Sequence, residues 1–250
     1  MKALSLFIFI LIASTTNSEE NNSILIYGDS ISAGYGMEKE SQWSESLKTL
    51  LSDEGFEISV HNRSISGETT GGGLTRISRI LDELKPTFLL LELGGNDALR
   101  GYPPKRIYEN LDKMIEASKV RGINVFLMQI RILPNYGKRY QTQFESIYPT
   151  LSQEKEVILL PFMLNDIALK KELMLPDGIH PNEDAQPLIA EIVFNSLKPH
   201  LKLLKQVVTH DDVIKLTEIR IKRISKYDID KADKKIIEIE NQIEETNYNL

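Results

Sequence analysis

Short apolar runs alternate with longer segments of helical spacing between residues 24 and 198. The apolar runs have the length of strands and lie at 24–27, 56–60, 87–93, 124–130 and 157–160. Apolar residues recur every three or four positions at 43–52, 74–84, 106–120, 140–154 and 185–197, which predicts helices there. This alternation predicts an α/β fold, in which a mostly parallel, five-stranded sheet carries helices on both faces.

Polar and glycine residues follow three of the predicted strands. Gly-Asp-Ser begins at residue 28, residues 62–69 follow the second strand, and Gly-Gly-Asn-Asp occupies 94–97. In a parallel sheet these loops open at the edge formed by the carboxyl ends of the strands, where α/β proteins bind ligands. A fourth segment, Pro-Asp-Gly-Ile-His-Pro at 176–181, is indicated as a loop by its prolines and glycine.

The composition restricts the chemistry available at this edge. The 250 residues include no cysteine, which excludes disulfides, thiolate nucleophiles and cysteine-ligated metals, and leaves serine, histidine and carboxylates as reactive groups. Thirty Lys and Arg against thirty-six Asp and Glu give a formal net charge of −6. Because the chain has no basic surplus to neutralise phosphates, we expect no nucleic-acid partner.

Serine is a weak nucleophile unless a base lies within hydrogen-bonding distance and a third group orients that base. Of the four histidines, His180 is flanked by glycine and proline in a loop and has an acid three residues upstream. Asp177 can fold back onto it because the intervening Gly-Ile allows a tight turn. We therefore predict that His180 activates Ser30 and that Asp177 orients His180. Taken alone, Ser30 could instead be a helix N-cap.

An acyl-transfer site also needs hydrogen-bond donors for the oxyanion. A glycine after a strand lets its backbone N–H approach a substrate closely, and an asparagine side chain presents an amide donor. Gly67 and Asn96 meet these requirements beside the N–H of Ser30. The predicted oxyanion hole therefore consists of Ser30, Gly67 and Asn96.

Gly-Asp-Ser, Gly67, Gly-Gly-Asn-Asp and Asp-Gly-Ile-His-Pro, in this order, resemble the motifs of the SGNH, or GDSL, hydrolases. The resemblance covers residues 24–200. It implies a three-layer α/β/α fold, no cofactor or metal, and hydrolysis of acyl esters and thioesters through an acyl-serine intermediate. Lysophospholipids, fatty acyl esters and acyl-CoA are the substrate types implied, so a membrane lipid is a possible substrate.

The resemblance also implies an acyl groove between two segments. Its borders are Asp97, Leu99, Arg100, Tyr102, Ile132, Leu133 and Pro134. Two alternatives remain open. One is a carbohydrate O-acetyl esterase that uses the same triad, and the other is a non-catalytic module that binds a lipid or a partner.

The first residues have the pattern of a secretory signal peptide. Lys2 is followed by an apolar run at 3–13 and by small polar residues at 14–18. The run is shorter than the ~20 residues needed to span a bilayer, although an uncleaved anchor is the alternative. We therefore expect a signal peptide at 1–18, a hydrolase domain at 19–200 and a periplasmic or secreted protein.

The composition changes after residue 200. Residues 201–250 contain ten basic and ten acidic residues. An apolar stripe at helical spacing follows Asp228 and comprises Ile229, Ala232, Ile236, Ile239 and Ile243. Upstream, residues 213–219 suggest another helix, while 219–224 could also be an alternating strand. The predicted C-terminal extension is a helical appendage or a short coiled-coil contact for self-association or a partner.

Overall fold

A five-stranded parallel sheet forms the centre of the computed structural model, which describes residues 22–132 and 134–205. Its strands are β1 (Ser23–Gly28), β2 (Ser59–Asn62), β3 (Phe88–Glu92), β4 (Asn124–Met128) and β5 (Ile158–Leu160). The order across the sheet is β2-β1-β3-β4-β5, and every neighbouring pair is parallel. Every residue of β1 and β3 is buried, as expected for central strands covered on both faces. The predicted α/β fold is confirmed.

The described residues contain eight α-helices, seven between the strands and one after β5. They are α1 (Ser30–Ala33), α2 (Trp43–Asp53), α3 (Thr70–Leu84), α4 (Gly95–Leu99), α5 (Pro104–Lys119), α6 (Lys138–Glu145), α7 (Ile147–Lys155) and α8 (Ala185–Lys205). Single 3₁₀ turns occupy Lys39–Ser41, Pro134–Tyr136 and Lys171–Leu173.

The helices form two layers, one on each face of the sheet. The chain moves outward from β1 to β2 and then back past β1 to β3, so right-handed crossovers place α2 on one face and α3, α5 and α7 on the other. The start of α8 lies beside α2, where the backbone N–H of Trp43 donates to Gln186 Oε1 at 3.0 Å. The fold is therefore the expected three-layer α/β/α sandwich.

Helix α3 begins earlier than the apolar spacing predicts. Residues 71–73, three consecutive glycines, have a composition typical of loops, but they form its first turn. The Thr69 side chain caps this turn by accepting from the N–H of Gly72. A Cβ on Gly73 would lie 2.6 Å from Leu93 Cδ1, so glycine allows the helix to approach the sheet closely.

The single helix predicted at 140–154 is divided into α6 and α7 at Ser146. Pro149 has no N–H, so it cannot donate to the carbonyl of Glu145 four residues earlier. That carbonyl instead accepts from Gln129 Nε2 at 3.1 Å. Proline and its compensating partner therefore explain the break.

The chain divides into two compact units, Met1–Leu197 and Lys198–Leu250. Of the second unit, only 198–205 at the end of α8 are described. The signal peptide at 1–18 and the helical stripe at 229–243 lie outside the described residues, so both stay predictions, as does the domain boundary at 200. No helix in the described part of the chain is long and apolar enough to cross a membrane.

Candidate active site

Ser30 is the first residue of α1 and follows directly after β1. Asp29 caps this one-turn helix by accepting from the N–H of Ile31 at 3.1 Å. The N–H of Tyr35 closes the turn by donating to the carbonyl of Ser30. The strand end and these local bonds fix Ser30 at the carboxyl edge of the sheet, where the sequence predicts the site.

His180 and Asp177 approach Ser30 from the loop before α8. His180 Nε2 lies 2.9 Å from Ser30 Oγ, and His180 Nδ1 lies 2.7 Å from Asp177 Oδ2. The other carboxylate oxygen of Asp177 accepts from the backbone N–H groups of Ile179 and His180. These bonds, with the backbone bond from His180 foremost, lower the pKa of Asp177 to about 2. The structure therefore brings the three predicted side chains into one hydrogen-bonded series.

The loop that carries Asp177 and His180 is closed by its own backbone. Met174 and Pro181 form an antiparallel bridge, and the N–H of Leu175 donates to the carbonyl of His180 at 2.7 Å. This fixes the acid and the base relative to one another over a few residues.

Tyr35 is a contact of His180 that the sequence pattern did not reveal. The centroids of the two rings lie 4.3 Å apart, and the ring planes are inclined by 33°. Tyr35 therefore covers part of the imidazole while remaining half-exposed itself. Its place five residues after Ser30, at the end of the α1 turn, is the signal that could have indicated it.

The three predicted oxyanion donors line the same cavity as His180. Gly67 has a φ of 80°, and a Cβ added to it would meet no heavy atom within 4 Å, so the conformation rather than crowding favours glycine here. Asn96 Nδ2 donates to Asp29 Oδ2 at 3.1 Å, which fixes the plane of the amide. Ser30, Gly67 and Asn96 thus come together from the ends of three neighbouring strands.

Two buried carboxyl groups lie behind Ser30. Asp29 is 4% exposed and Glu92 is 2% exposed. Glu92 Oε2 accepts from the N–H of Asp29 and from Ser32 Oγ. Burial raises the pKa of Asp29 to about 6. Burial and the charge of Asp29 together raise the pKa of Glu92 well above its usual value. The sequence signal for Glu92 is a lone acid in an otherwise apolar strand.

Asp97 has a structural role beneath the cavity. It is 1% exposed and accepts from both the N–H and the hydroxyl of Thr70, at 2.8 and 2.6 Å. Burial nevertheless raises its pKa. The expectation that Asp97 borders the acyl groove does not fit this placement, because its carboxylate joins α4 to α3 and is absent from the cavity wall.

The cavity beside Ser30 has a volume of about 400 Å³ and largely apolar walls. Leu99 and Ile132, both predicted groove residues, line it. Further apolar wall residues, which the sequence analysis missed, are Ile130, Phe162, Met163, Leu164, Ala168 and Met174. The signal for several of them is the apolar run that continues past the end of β5.

Of the other predicted groove residues, Arg100 and Tyr102 are not among the described residues that line this cavity. Arg100 lies beside it, where its Nη2 donates to the carbonyl of Gly67 at 3.3 Å. Tyr102 lies farther along the chain, where its carbonyl accepts from Tyr140 Oη. Leu133 is outside the described residues, and Pro134 begins a 3₁₀ turn whose first side chain is not described. Within 22–132 and 134–205, no group of three or more His, Cys, Asp or Glu could hold a metal ion.

Comparison with known proteins agrees with this geometry. Residues 26–186 match the GDSL-like Lipase/Acylhydrolase family. An arylesterase from Vibrio mimicus is 47% identical over 201 residues, which are 80% of this chain and all of the arylesterase. The thioesterase 1/protease 1/lysophospholipase L1 of Escherichia coli K12 is 41% identical over 206 residues, 82% of this chain and 93% of that enzyme.

The chain is also similar to an esterase of known structure. The psychrotrophic esterase EstA from Pseudoalteromonas sp., in a crystal structure inhibited by monoethylphosphonate, superposes with a TM-score of 0.71 and 42% identity. The match covers 72% of this chain and 99% of EstA. The chain therefore belongs to the GDSL-like lipase/acylhydrolase family and is an ester-hydrolysing serine hydrolase.

Proposed function

We propose that the protein hydrolyses acyl esters and thioesters through an acyl-Ser30 intermediate. The observation that carries this proposal is the series of hydrogen-bonding distances from Ser30 Oγ through His180 to Asp177. Ser30 Oγ attacks the acyl carbon while His180 Nε2 takes its proton, and Asp177 stabilises the resulting imidazolium. The proton then passes to the leaving oxygen or sulfur. Water attacks the acyl-enzyme in the same way and releases the acid.

The oxyanion formed in both steps would accept from the N–H groups of Ser30 and Gly67 and from the Asn96 amide. The placement of all three residues on one cavity wall supports this assignment. Donors that are fixed before the reaction stabilise the transition state by roughly 3 kcal/mol each, because they need no reorganisation as the charge develops.

The apolar walls indicate where the acyl chain would lie. Leu99, Ile132 and Phe162 offer no polar partner to a sugar hydroxyl, and a cavity of about 400 Å³ accepts more than an acetyl group. We therefore propose medium to long acyl groups, as in lysophospholipids, fatty acyl esters and acyl thioesters. The lysophospholipase and thioesterase activities named for the E. coli relative support this choice.

The location of the protein is part of the same proposal. The apolar run at 3–13 supports export to the periplasm or beyond, with cleavage near Ser18. Because acyl-CoA is cytoplasmic, esters and lysophospholipids would be the substrates met there. N-terminal sequencing of the protein recovered from a bacterial periplasmic fraction tests this part, and a chain that still begins at Met1 would contradict it.

The proposal is tested by hydrolysis of p-nitrophenyl esters from acetyl to palmitoyl. We expect activity to peak beyond butyryl and to fall by a factor of about 10⁶ in Ser30→Ala, as in other triads that lose the nucleophile. Ser52→Ala, which changes an exposed serine of α2, is the matched control and should retain full activity.

Covalent catalysis has a separate readout. An alkyl phosphonate should block the enzyme and add its mass to the peptide that contains Ser30, and Ser30→Ala should take up none. An acetyl-only profile would replace the proposed substrate class with that of a deacetylase. Full activity in Ser30→Ala, or labelling at another residue, would contradict the mechanism.

A further inference from the structure

Exposed apolar side chains surround the mouth of the catalytic cavity. Tyr35, Leu99 and Ile179 line the cavity, yet they are 50%, 39% and 43% exposed. Large apolar side chains that both line a cavity and face water are positioned where the cavity opens. Their exposure is therefore a property of the entrance to the site.

Two more exposed side chains adjoin the cavity wall along the chain. Ile65 is 48% exposed and precedes the lining residues Ser66 and Gly67. Leu169 is 86% exposed and follows the lining residue Ala168. We call the five residues Tyr35, Ile65, Leu99, Leu169 and Ile179 the mouth rim.

The mouth rim accounts for most of the large apolar side chains exposed in the described part of the chain. Seven are exposed in all, and the other two are Val120 and Leu188. Val120 follows α5 and precedes β4, so it lies at the edge where the strands begin, opposite the cavity. Scattered apolar exposure is ordinary, but a contiguous apolar patch marks an interaction surface.

Cationic side chains adjoin the mouth rim. Arg100 follows Leu99 and reaches the carbonyl of Gly67, and Arg131 lines the cavity. Two further exposed cations, Lys170 and Lys171, follow Leu169. The exposed acids on the adjoining segment are Asp166 and Glu172. Asp177, two residues before Ile179, and Glu38, three residues after Tyr35, are exposed as well, so acids and cations both surround the mouth rim, with the cations placed at 100, 131 and 170–171.

We propose that the mouth rim docks onto the surface of a lipid aggregate that contains anionic phospholipids, an inference that rests on the proposed hydrolysis of lipid esters. The apolar side chains would enter the boundary between headgroups and acyl chains, while the cations meet the headgroup phosphates. An acyl ester could then pass from the lipid into the apolar cavity with little exposure to water. Headgroup phosphates offer partners to the cations beside the mouth rim, and the mouth rim leads into the apolar cavity, which favours this occupant over a second copy of the chain.

The first test measures insertion at one position. Leu169→Trp and Val120→Trp are prepared in the full chain with Ser30→Ala, so that no lipid is consumed. The natural Trp43 is fully buried and gives a constant background. Vesicles of equal parts phosphatidylethanolamine and brominated phosphatidylglycerol should quench the emission of Leu169→Trp and shift it to the blue, and should leave Val120→Trp unchanged.

The signal of Leu169→Trp should weaken in vesicles of brominated phosphatidylcholine alone, since the cations then lose their anionic partners. Equal quenching at both positions, or no quenching at position 169, would overturn the proposal. Quenching as strong in phosphatidylcholine as in the anionic vesicles would overturn the assigned headgroup charge. If no vesicle quenches the tryptophan at position 169, the mouth rim does not enter lipid, and a protein would be the favoured partner.

The second test separates docking from chemistry. The double variant Ile65→Ser/Leu169→Ser changes the mouth rim outside the cavity wall, so hydrolysis of dissolved p-nitrophenyl butyrate should stay unchanged. Hydrolysis of lysophosphatidylglycerol embedded in vesicles should fall about tenfold or more, because each apolar side chain lost weakens partitioning. Val120→Ser, as the control, should match the wild type on both substrates. Equal loss on both substrates would contradict docking, whereas inactivity of the wild type on butyrate would contradict the proposed function.

Discussion

Ser30 lies between two acidic regions that differ in burial and in charge. On the solvent side, Asp177 accepts three hydrogen bonds from residues 179–180, and its pKa is lowered to about 2. On the inner side, burial raises the pKa of Asp29 to about 6 and that of Glu92 well above its usual value. The same functional group is therefore stabilised as an anion on one side of the serine and as a neutral acid on the other.

The difference shows that loss of hydration and hydrogen-bond donors change the pKa of a carboxyl group in opposite directions. Asp29 also accepts from two donors, the N–H of Ile31 and the Asn96 amide, but the loss of water outweighs them. Asp177 keeps contact with water and gains donors at the same time. The outer acid can therefore balance an imidazolium, while burial of the inner pair disfavours its charged form and leaves it as an acceptor for the groups that frame the oxyanion hole.

The largest expected effect comes from neutralising the outer acid. Asp177→Asn should lower kcat for p-nitrophenyl butyrate by about 10⁴, because an amide favours the wrong tautomer of His180 and cannot balance its positive charge. Asp166→Asn, an exposed acid that does not contact His180, is the control and should change kcat less than about twofold. Retention of a tenth of the activity by Asp177→Asn would remove the outer acid from the mechanism.

The next effect concerns Asn96, the donor that Asp29 holds. Asn96→Ala should lower kcat by about 10²–10³ with little change in KM, since the amide acts on the charge that develops in the transition state. The matched control is Asn124→Ala, at an exposed position where β4 begins. A rise in KM with kcat unchanged would place Asn96 in ground-state binding instead.

A smaller loss should follow from changing the acceptor itself. Asp29→Asn leaves one carbonyl oxygen for two donors, the N–H of Ile31 and the Asn96 amide. One donor near the serine then loses its partner, which costs roughly 1–3 kcal/mol, so kcat should fall about tenfold. Steady-state kinetics on the same ester measure this, and full activity would mean that the inner acid does not position Asn96.

The smallest effect on activity, within about threefold, is expected for Glu92→Gln, which keeps an acceptor oxygen for Ser32 and Asp29. Its signature is the pH dependence of stability. In the wild type the raised pKa values of Asp29 and Glu92 stabilise the fold at low pH, and this contribution is lost as the pH rises through about 6 and above.

Glu92→Gln removes the ionisable group of residue 92. It also removes the charge repulsion between Glu92 and Asp29. The unfolding free energy of the variant relative to wild type should therefore increase from about pH 4 to about pH 8. Asp177 has the opposite sign and loses its contribution only as the pH falls toward about 2, below this range. Urea unfolding between about pH 4 and about pH 8 measures the difference in unfolding free energy between the variant and the wild type. A difference that does not change with pH would mean that the pKa of Glu92 is not raised in the folded protein.

The site at the carboxyl edge of the sheet was predictable because each strand, and the motif that follows it, is a local pattern in the sequence. Ser30, Gly67 and Asn96 each follow an apolar strand, and the loop around His180 is delimited by its prolines. Parallel strands then bring residues distant in sequence to one edge without further information.

Features that depend on tertiary contacts were not predictable in the same way. The glycine run at 71–73 has the composition of a loop, yet the cap from Thr69 and the close approach to Leu93 make it helical. Likewise, β2 begins three residues late because the N–H of Phe56 closes the end of α2 on Leu51. Asp97 appeared polar and accessible beside Asn96, but Thr70 draws it inward. For the glycine run and for Asp97 a partner from another part of the fold decided the outcome, whereas a local bond at the end of α2 set the start of β2.

The closed loop of residues 173–182 makes the acid and the base a transferable unit. The backbone bonds of the Met174–Pro181 bridge, including the one from the N–H of Asn182 to the carbonyl of Leu173, begin and end within the loop. Chain added or removed between β5 and residue 173 would leave the distance from Asp177 to His180 unaltered and would change only how the pair meets Ser30. Variation in length upstream therefore offers a way to remodel the acyl cavity while proton transfer within the pair is preserved.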